Sequence, residues 1–370
     1  MAVIFNTNAS FVRTGTNGAK TGENALIGKF EAPIRMIIQN ESDLMSRNDD
    51  VLRYLYLVMK SNRYAESFVN MKEFDPFEVV PEGGKAPTTD VKQISAKVIT
   101  HLQFMNQFVV TANMMEDSLT NQAALAARNF VRSYYKTRNL LGTKAITELG
   151  STLSFQKGTF DLTTADGLSL YNVSHKYGDA SATQSNRFST KLDANVYIDI
   201  SVVENAVAAA AEKIRNMKDE NGYSLGYTAD TIMIPNNDPK LEALMRKVLG
   251  SEFSSNASGA LSGAINTQYG AFTLIVNPFW QANSNSHPFI VMSKAANEAI
   301  AGGVFLDRIP LTVMDRIDHD TSDYVWTGRA RMSVGFNSYK HIGYYEILDN
   351  NSGTLQDGGT AGTNSTAVKL

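Results

Sequence analysis

Residues Ile94–Val110 read ISAKVITHLQFMNQFVV. The even positions read Ile94, Ala96, Val98, Thr100, Leu102, Phe104, Asn106, Phe108 and Val110, and the odd ones Ser95, Lys97, Ile99, His101, Gln103, Met105, Gln107 and Val109, a mainly two-residue alternation. A period of two assigns one set to each face of a strand. At about 3.3 Å per residue such a run extends some 55 Å, against about 5–6 residues for an ordinary strand. Upstream, Phe68–Val80 also reads as strand, interrupted at Asp75-Pro76, and the turn-forming stretch Pro81–Pro87 lies between the two. These segments predict a long two-stranded arm projecting from the body, with Pro81, Glu82, Gly83, Gly84 and Lys85 in its turn. A lone hairpin is marginal in water and leaves two unpaired edges. Its length points to a neighbouring copy as the cover.

Outward from this arm, Glu116–Leu149 reads as one helix interrupted only by Gly142, about 50 Å long at 1.5 Å per residue. Arg128, Arg132 and Lys136 recur every four positions and form a basic stripe on it. Such a stripe is either a solvated or ion-paired face or the lining of a container of nucleic acid. Residues 6–29 are rich in Asn, Thr and Gly, and read as an extended N-terminal arm. Asp49-Asp50 caps a short helix with Leu52, Leu55, Tyr56 and Met59 on one face.

Residues 151–195 are polar and loop-rich, and an α/β unit follows over about 196–305. Its helices are a stripe of Val203, Val207, Ala210, Ile214 and Met217 ended by Asn221-Gly222, and a segment begun by Asp238-Pro239 and stopped by Gly250. Thr231–Ile234, Phe272–Val276 and Phe289–Met292 read as its strands. Tyr324–Phe336 then alternates again as a long half-buried strand, so the α/β unit is an insertion into the first one. The class is α+β. Residues 350–370, almost without apolar content, form a mobile tail.

The composition narrows function. A chain of 370 residues suggests two or three structural units, and a net charge of −3 indicates neither a free nucleic-acid binder nor an acidic tail. Cysteine is absent, which removes disulfides, thiolate ligands and a cysteine nucleophile. No export signal and no run of about 18 apolar residues occurs, so no membrane partner is expected. The densest polar cluster, Asp315–Asp320 with His319, reads as an exposed turn rather than a metal site or general base. Ser174-His175 with Asp166 lacks a nucleophile elbow, and no phosphate-loop motif exists. The Ser/Gly-rich run Ser251–Gly263 reads as a surface loop. No catalytic, cofactor or metal site is assigned, and the chain is read as not an enzyme.

The order of arm, long hairpin, long helix, inserted α/β unit and returning strand resembles the major capsid proteins of tailed bacteriophages, with their Hong Kong 97-like fold. Local runs are similar as well: Asp166–Tyr171 followed by Ser174-His175, then Thr231–Leu241, and Arg329–Phe336. The resemblance implies an N-terminal arm over 1–45, an extended loop over about 66–112 with Pro81–Lys85 as its intersubunit tip, and a spine helix at about 116–149. A peripheral domain would take 46–195 and 306–348, an axial domain 196–305, and a flexible tail 349–370. It also implies pentamers and hexamers of an icosahedral shell, built as a procapsid in the host cytoplasm and matured around double-stranded DNA contacted non-specifically. A portal protein and a decoration protein are implied partners. No charged scaffolding segment precedes residue 45, so a separate scaffolding protein is expected. The Arg128, Arg132 and Lys136 stripe would face the lumen of the virion capsid. The rival readings are an encapsulin-like nanocompartment, a phage tube or sheath protein, and a hydrolase or metal enzyme.

Overall fold

The computed structural model describes residues 4–5, 23–47, 50–88, 91–117, 120–177, 182–192, 198–252, 266–282, 286–318 and 320–348. The first half of the chain runs β1 (Ile4–Phe5), α1 (Glu23–Arg47), α2 (Asp50–Leu55), β2 (Leu57–Lys60), β3 (Ala65–Met71), β4 (Gln93–Thr100), β5 (Leu102–Val110), α3 (Ala112–Glu116) and α4 (Thr120–Thr147). Short strands follow: β6 (Thr152–Phe155), β7 (Gly158–Asp161), β8 (His175–Lys176), β9 (Thr183–Gln184) and β10 (Arg187–Lys191). The remainder is α5 (Ile200–Arg215), β11 (Thr231–Pro235), α6 (Pro239–Gly250), β12 (Thr273–Asn277), β13 (Ser286–Met292), α7 (Lys294–Ile300), β14 (Gly303–Ile317), β15 (Tyr324–Phe336) and β16 (Ile342–Leu348).

Two sheets carry the architecture. In the first, β14 pairs antiparallel with β15, and its other edge takes β2 and β1 in turn, both parallel. On the far side β5 pairs antiparallel with β15, from Leu102 opposite Met332 to Val110 opposite Tyr324. Helix α4 lies across this sheet. Phe130, Val131 and Tyr135 bury against Leu311, Val313 and Trp326, and Ile34 and Ile38 of α1 close the same cluster. Arg138 of α4 and Asp307 of β14, both buried, form an ion pair that ties helix to sheet.

The second sheet has the order β10-β16-β13-β11-β12. Its strands alternate between two cores. Ile232, Ile234, Phe289 and Val291 face α5 and α6, whereas Met233, Ile290 and Met292 pack with Leu141, Phe305 and Phe336 of the first unit. Because both faces are covered, Thr231–Pro235 is buried throughout, as expected for a continuous apolar run. Asp199 and Asp238 cap α5 and α6 by accepting from the backbone N–H of Val202 and Leu241.

Several expectations are corrected. The stretch 6–29 is not wholly extended, since α1 starts at Glu23; the spacing Ile34, Ile38 is the helical signal that the Asn/Gly-rich composition masked. Residues 6–22 lie outside the described residues. Met59 leaves the short helix and sits in β2. The single helix from Glu116 to Leu149 is replaced by α3 and α4, and Gly142 runs inside α4 without interrupting it. Gly142 serves close approach: a Cβ there would lie 2.1 Å from Leu52 Cδ2. Helix α5 ends at Arg215, and Asn221-Gly222 forms a separate turn beyond it.

The boundary of the inserted unit also moves. Strands β10 and β16 pair in the second sheet, whereas the sequence reading groups 187–191 and 342–348 with the first unit. The shared core explains why local alternation did not reveal this. The tail 350–370, His319 and most of Ser251–Gly263 fall outside the described residues.

Candidate assembly surface

The 17-residue alternating run is not one strand. It breaks at His101, and the two halves join different sheets: β4 pairs with β3, while β5 pairs with β15. The phase of burial reverses at the break. Lys97 and Ile99 are buried in β4 and Ile94 and Val98 exposed, whereas in β5 the even positions turn inward, ending at buried Val110. Consecutive inward residues at His101 and Leu102 shift the pattern by one, which moves every side chain to the opposite face.

Strands β3 and β4 are therefore the root of a shorter arm. Ile99 packs with Val304, Leu306 and Phe68, in the space left by Gly335, where a Cβ would come within 2.5 Å of Ile99 Cδ1. Lys97 Nζ donates to Asp161 Oδ2 at 2.6 Å and to Thr163 Oγ1 at 2.8 Å. Partial burial opposes ionisation of Asp161, but hydrogen bonds from Lys97 and Thr163 hold its carboxyl below the usual range. Asn70 and Asn337 exchange amide hydrogen bonds at 3.1 and 2.7 Å. One face of the root is thus fixed on its own body.

The other face is bare. Val69, Met71, Ile94 and Val98 are exposed on it, and beyond it the regular pairing ends. The expected strand up to Val80 stops at Met71, because Asp75-Pro76 breaks the alternation and supplies no ladder donor at Pro76. In the irregular segment Phe74 is exposed, and Phe77 and Val79 are fully so. The tip residues Pro81, Glu82, Gly83, Gly84 and Lys85 form a turn closed by Gly84 N–H donating to Pro81 O at 2.8 Å, with Gly83 at φ +81°. A left-handed φ of this kind suits glycine. All five tip residues are exposed.

The body presents a concavity. A groove of about 720 Å³ runs between α4, β5 and the β6–β7 hairpin, lined by Phe104, Phe130, Tyr134, Phe155, Lys157 and Met332. β5 forms its edge, with one side unpaired among the described residues.

The basic stripe is partly engaged. Arg128 and Lys136 are exposed, while Arg132 Nε donates to Glu41 Oε1 of α1 at 2.6 Å. His175 is fully buried and stacked on Tyr339, with centroids 3.6 Å apart. Its Nδ1 meets Asp166 Oδ2 at 2.6 Å, and its Nε2 faces Leu170 O at 3.3 Å, so the ring is not aimed at exposed Ser174. Burial opposes ionisation of Asp166, yet hydrogen bonds from His175 and Thr164 keep its carboxyl low. This pair braces a loop. Asp315 is buried rather than exposed, accepting from Arg35 Nη2 at 2.8 Å and Tyr324 OH at 3.0 Å. Among the described residues, no three His, Asp or Glu side chains gather as a metal site.

The residues that fix the arm, Lys97, Ile99, His101, Asn70 and Asn337, were not singled out as functional from sequence. A lysine on the apolar-rich run was the available signal for Lys97; the two asparagines, 267 positions apart, offered none.

Residues 106–347, well over half of the chain, match the family described as phage capsid protein, and the chain belongs to that family. Its α+β architecture, with extended loop, spine helix and inserted sheet, is Hong Kong 97-like, and the protein is a phage capsid protein. Similar solved structures include a chain of Mycobacterium phage Patience, 13% identical, covering 96% of this chain and 95% of that one, with a TM-score of 0.49. A chain of the capsid of Myoviridae phage XM1 is 14% identical over 80% of this chain and 91% of its own, with a TM-score of 0.48. A chain of the virus-like particle from Pyrococcus furiosus is 10% identical over 83% and 97%, with a TM-score of 0.43. No curated protein matches the sequence.

Proposed function

We propose that this chain is the major capsid protein of an icosahedral phage head, that it assembles through pentamers and hexamers, and that its role is mechanical rather than catalytic. The observation that carries this reading is the bare apolar face of the arm, with Phe77 and Val79 fully exposed beyond it. Apolar surface of this kind is stabilised by removal from water, and a second copy supplies it at every position of a closed shell. The segment Lys72–Glu82 carries four carboxylates, Glu73, Asp75, Glu78 and Glu82, against one lysine. It is suited to the groove beside α4 of a neighbour, where Lys157 lies.

In this reading the β10-β16-β13-β11-β12 sheet with α5 and α6 is the axial domain, and the β14–β15 sheet with α4 is the peripheral domain. Arg128 and Lys136 face packaged double-stranded DNA and contact its phosphates without sequence preference. Assembly in the host cytoplasm proceeds with a separate scaffolding protein, and portal and decoration proteins complete the virion. Deleting Glu78–Thr89 tests the reading: the body folds, and electron microscopy finds no closed particles. Normal particles from the deletion contradict it, and full particles that protect a protein cargo instead of nuclease-resistant DNA contradict the contents proposed.

A further inference from the structure

The arm leaves the body at one residue, His101, which lies between β4 and β5 and is 5% exposed. Its Nε2 sits 2.8 Å from Ser61 Oγ, and Ser61 Oγ sits 2.7 Å from Glu66 Oε1. Ser61 is in the link between β2 and β3, and Glu66 is on β3, so the three residues join both strands of the arm root to the point where they leave the body. An ionised carboxylate only accepts, and a hydroxyl has one proton to give. Ser61 therefore donates to Glu66, and His101 donates from Nε2 to Ser61. That assignment leaves Nδ1 as the unprotonated nitrogen, and it is buried with no hydrogen-bond partner among the described residues.

We propose that His101, Ser61 and Glu66 form a proton-sensitive elbow, which seats the arm on its own body at neutral pH and releases it in mild acid. A proton added at Nδ1 enters a buried position with no hydrogen-bond acceptor in reach among the described residues. The charged groups facing the ring are Arg331 of β15, Arg308 and Asp307 of β14, and Glu66 of β3; Arg308 Nη1 also donates to Ser61 O at 3.3 Å. Asp307 pairs with Arg138 through Oδ1, and its Oδ2 is buried without a hydrogen-bond partner among the described residues. Burial, followed by Arg331, pulls the His101 pKa below its ordinary 6.5, with Glu66 opposing. The seated elbow thus holds its stability above about pH 6.5 and loses it as the pH falls, because the released arm takes up the proton.

Two carboxylates of the same region do not imitate this response. Asp161 titrates below 3.8, outside the window. Burial, then Asp219 and Glu220, push the Glu73 carboxyl up, so acid tightens that contact instead of loosening it.

Hydrogen exchange on the full-length chain at about pH 7.5 and about pH 5.5, corrected for intrinsic rates, tests the elbow. Exchange at 65–71 and 93–100 rises several-fold in acid, with about tenfold as the ceiling set by a free imidazole near 6.5. Amides of the β14–β15 ladder stay unchanged. His101→Gln, which keeps a donor but does not titrate, abolishes the response; an unchanged acid response in this variant, or none in the natural chain, overturns the proposal. Imidazole NMR of the natural chain gives a second reading that needs no variant: the Nε2–H tautomer at His101 supports the elbow, and the Nδ1–H tautomer overturns it.

Discussion

β4 and β5 are successive halves of one alternating run, and they meet opposite fates. β5 lies in a sheet backed by α4, with Phe108 stacked on Trp326 and next to Phe130. β4 reaches its own body only through Lys97 and Ile99 and turns Ile94 and Val98 to solvent. The difference lies in what each strand finds opposite it, not in propensity. A sheet, a helix and a buried ion pair surround the first; a single partner strand and a thin cluster support the second. Stability is therefore concentrated in the body, and the arm is the low-stability element from which moving and assembling parts are drawn.

Substitutions on the two sides should separate accordingly. Asp307→Ala removes the buried carboxylate that pairs with Arg138, and a loss of about 3–5 kcal/mol in denaturant unfolding of the body is expected. The Glu78–Thr89 deletion, by contrast, should unfold at the same denaturant concentration as the full chain. Equal effects of the two changes would erase the distinction.

Ile99→Ala acts on the arm alone. Its cluster is small, and a local cost of about 2–4 kcal/mol is expected for opening the root. Exchange at 65–71 and 93–100 should rise at least about tenfold while the β14–β15 amides hold. A matching rise in both regions would mean that the root and the body unfold as one unit.

Much of this was legible in the residues. The returning strand at Tyr324–Phe336, the caps Asp238-Pro239 and the buried run Thr231–Ile234 follow from local pattern, and all are present. The tip glycines sit in the turn where their sequence placed them. The break at His101 was hidden because apolar residues hold most even positions through both halves, while pairing and burial show that the phase slips. Membership of Ile342–Leu348 in the second sheet was equally hidden, since pairing of β16 with β10 and β13 joins residues 50 or more positions apart, and no periodicity encodes a partner. The fixing contacts Asn70–Asn337 and Lys97–Asp161 are long-range for the same reason.

Hydrogen exchange over Lys72–Lys92 and the outward face of β3 and β4, compared between dissociated subunits and assembled particles, addresses the neighbour-completed arm most directly. Fast exchange in subunits and strong protection in particles is the predicted result. Equal exchange in both states, whether fast or slow, would contradict it.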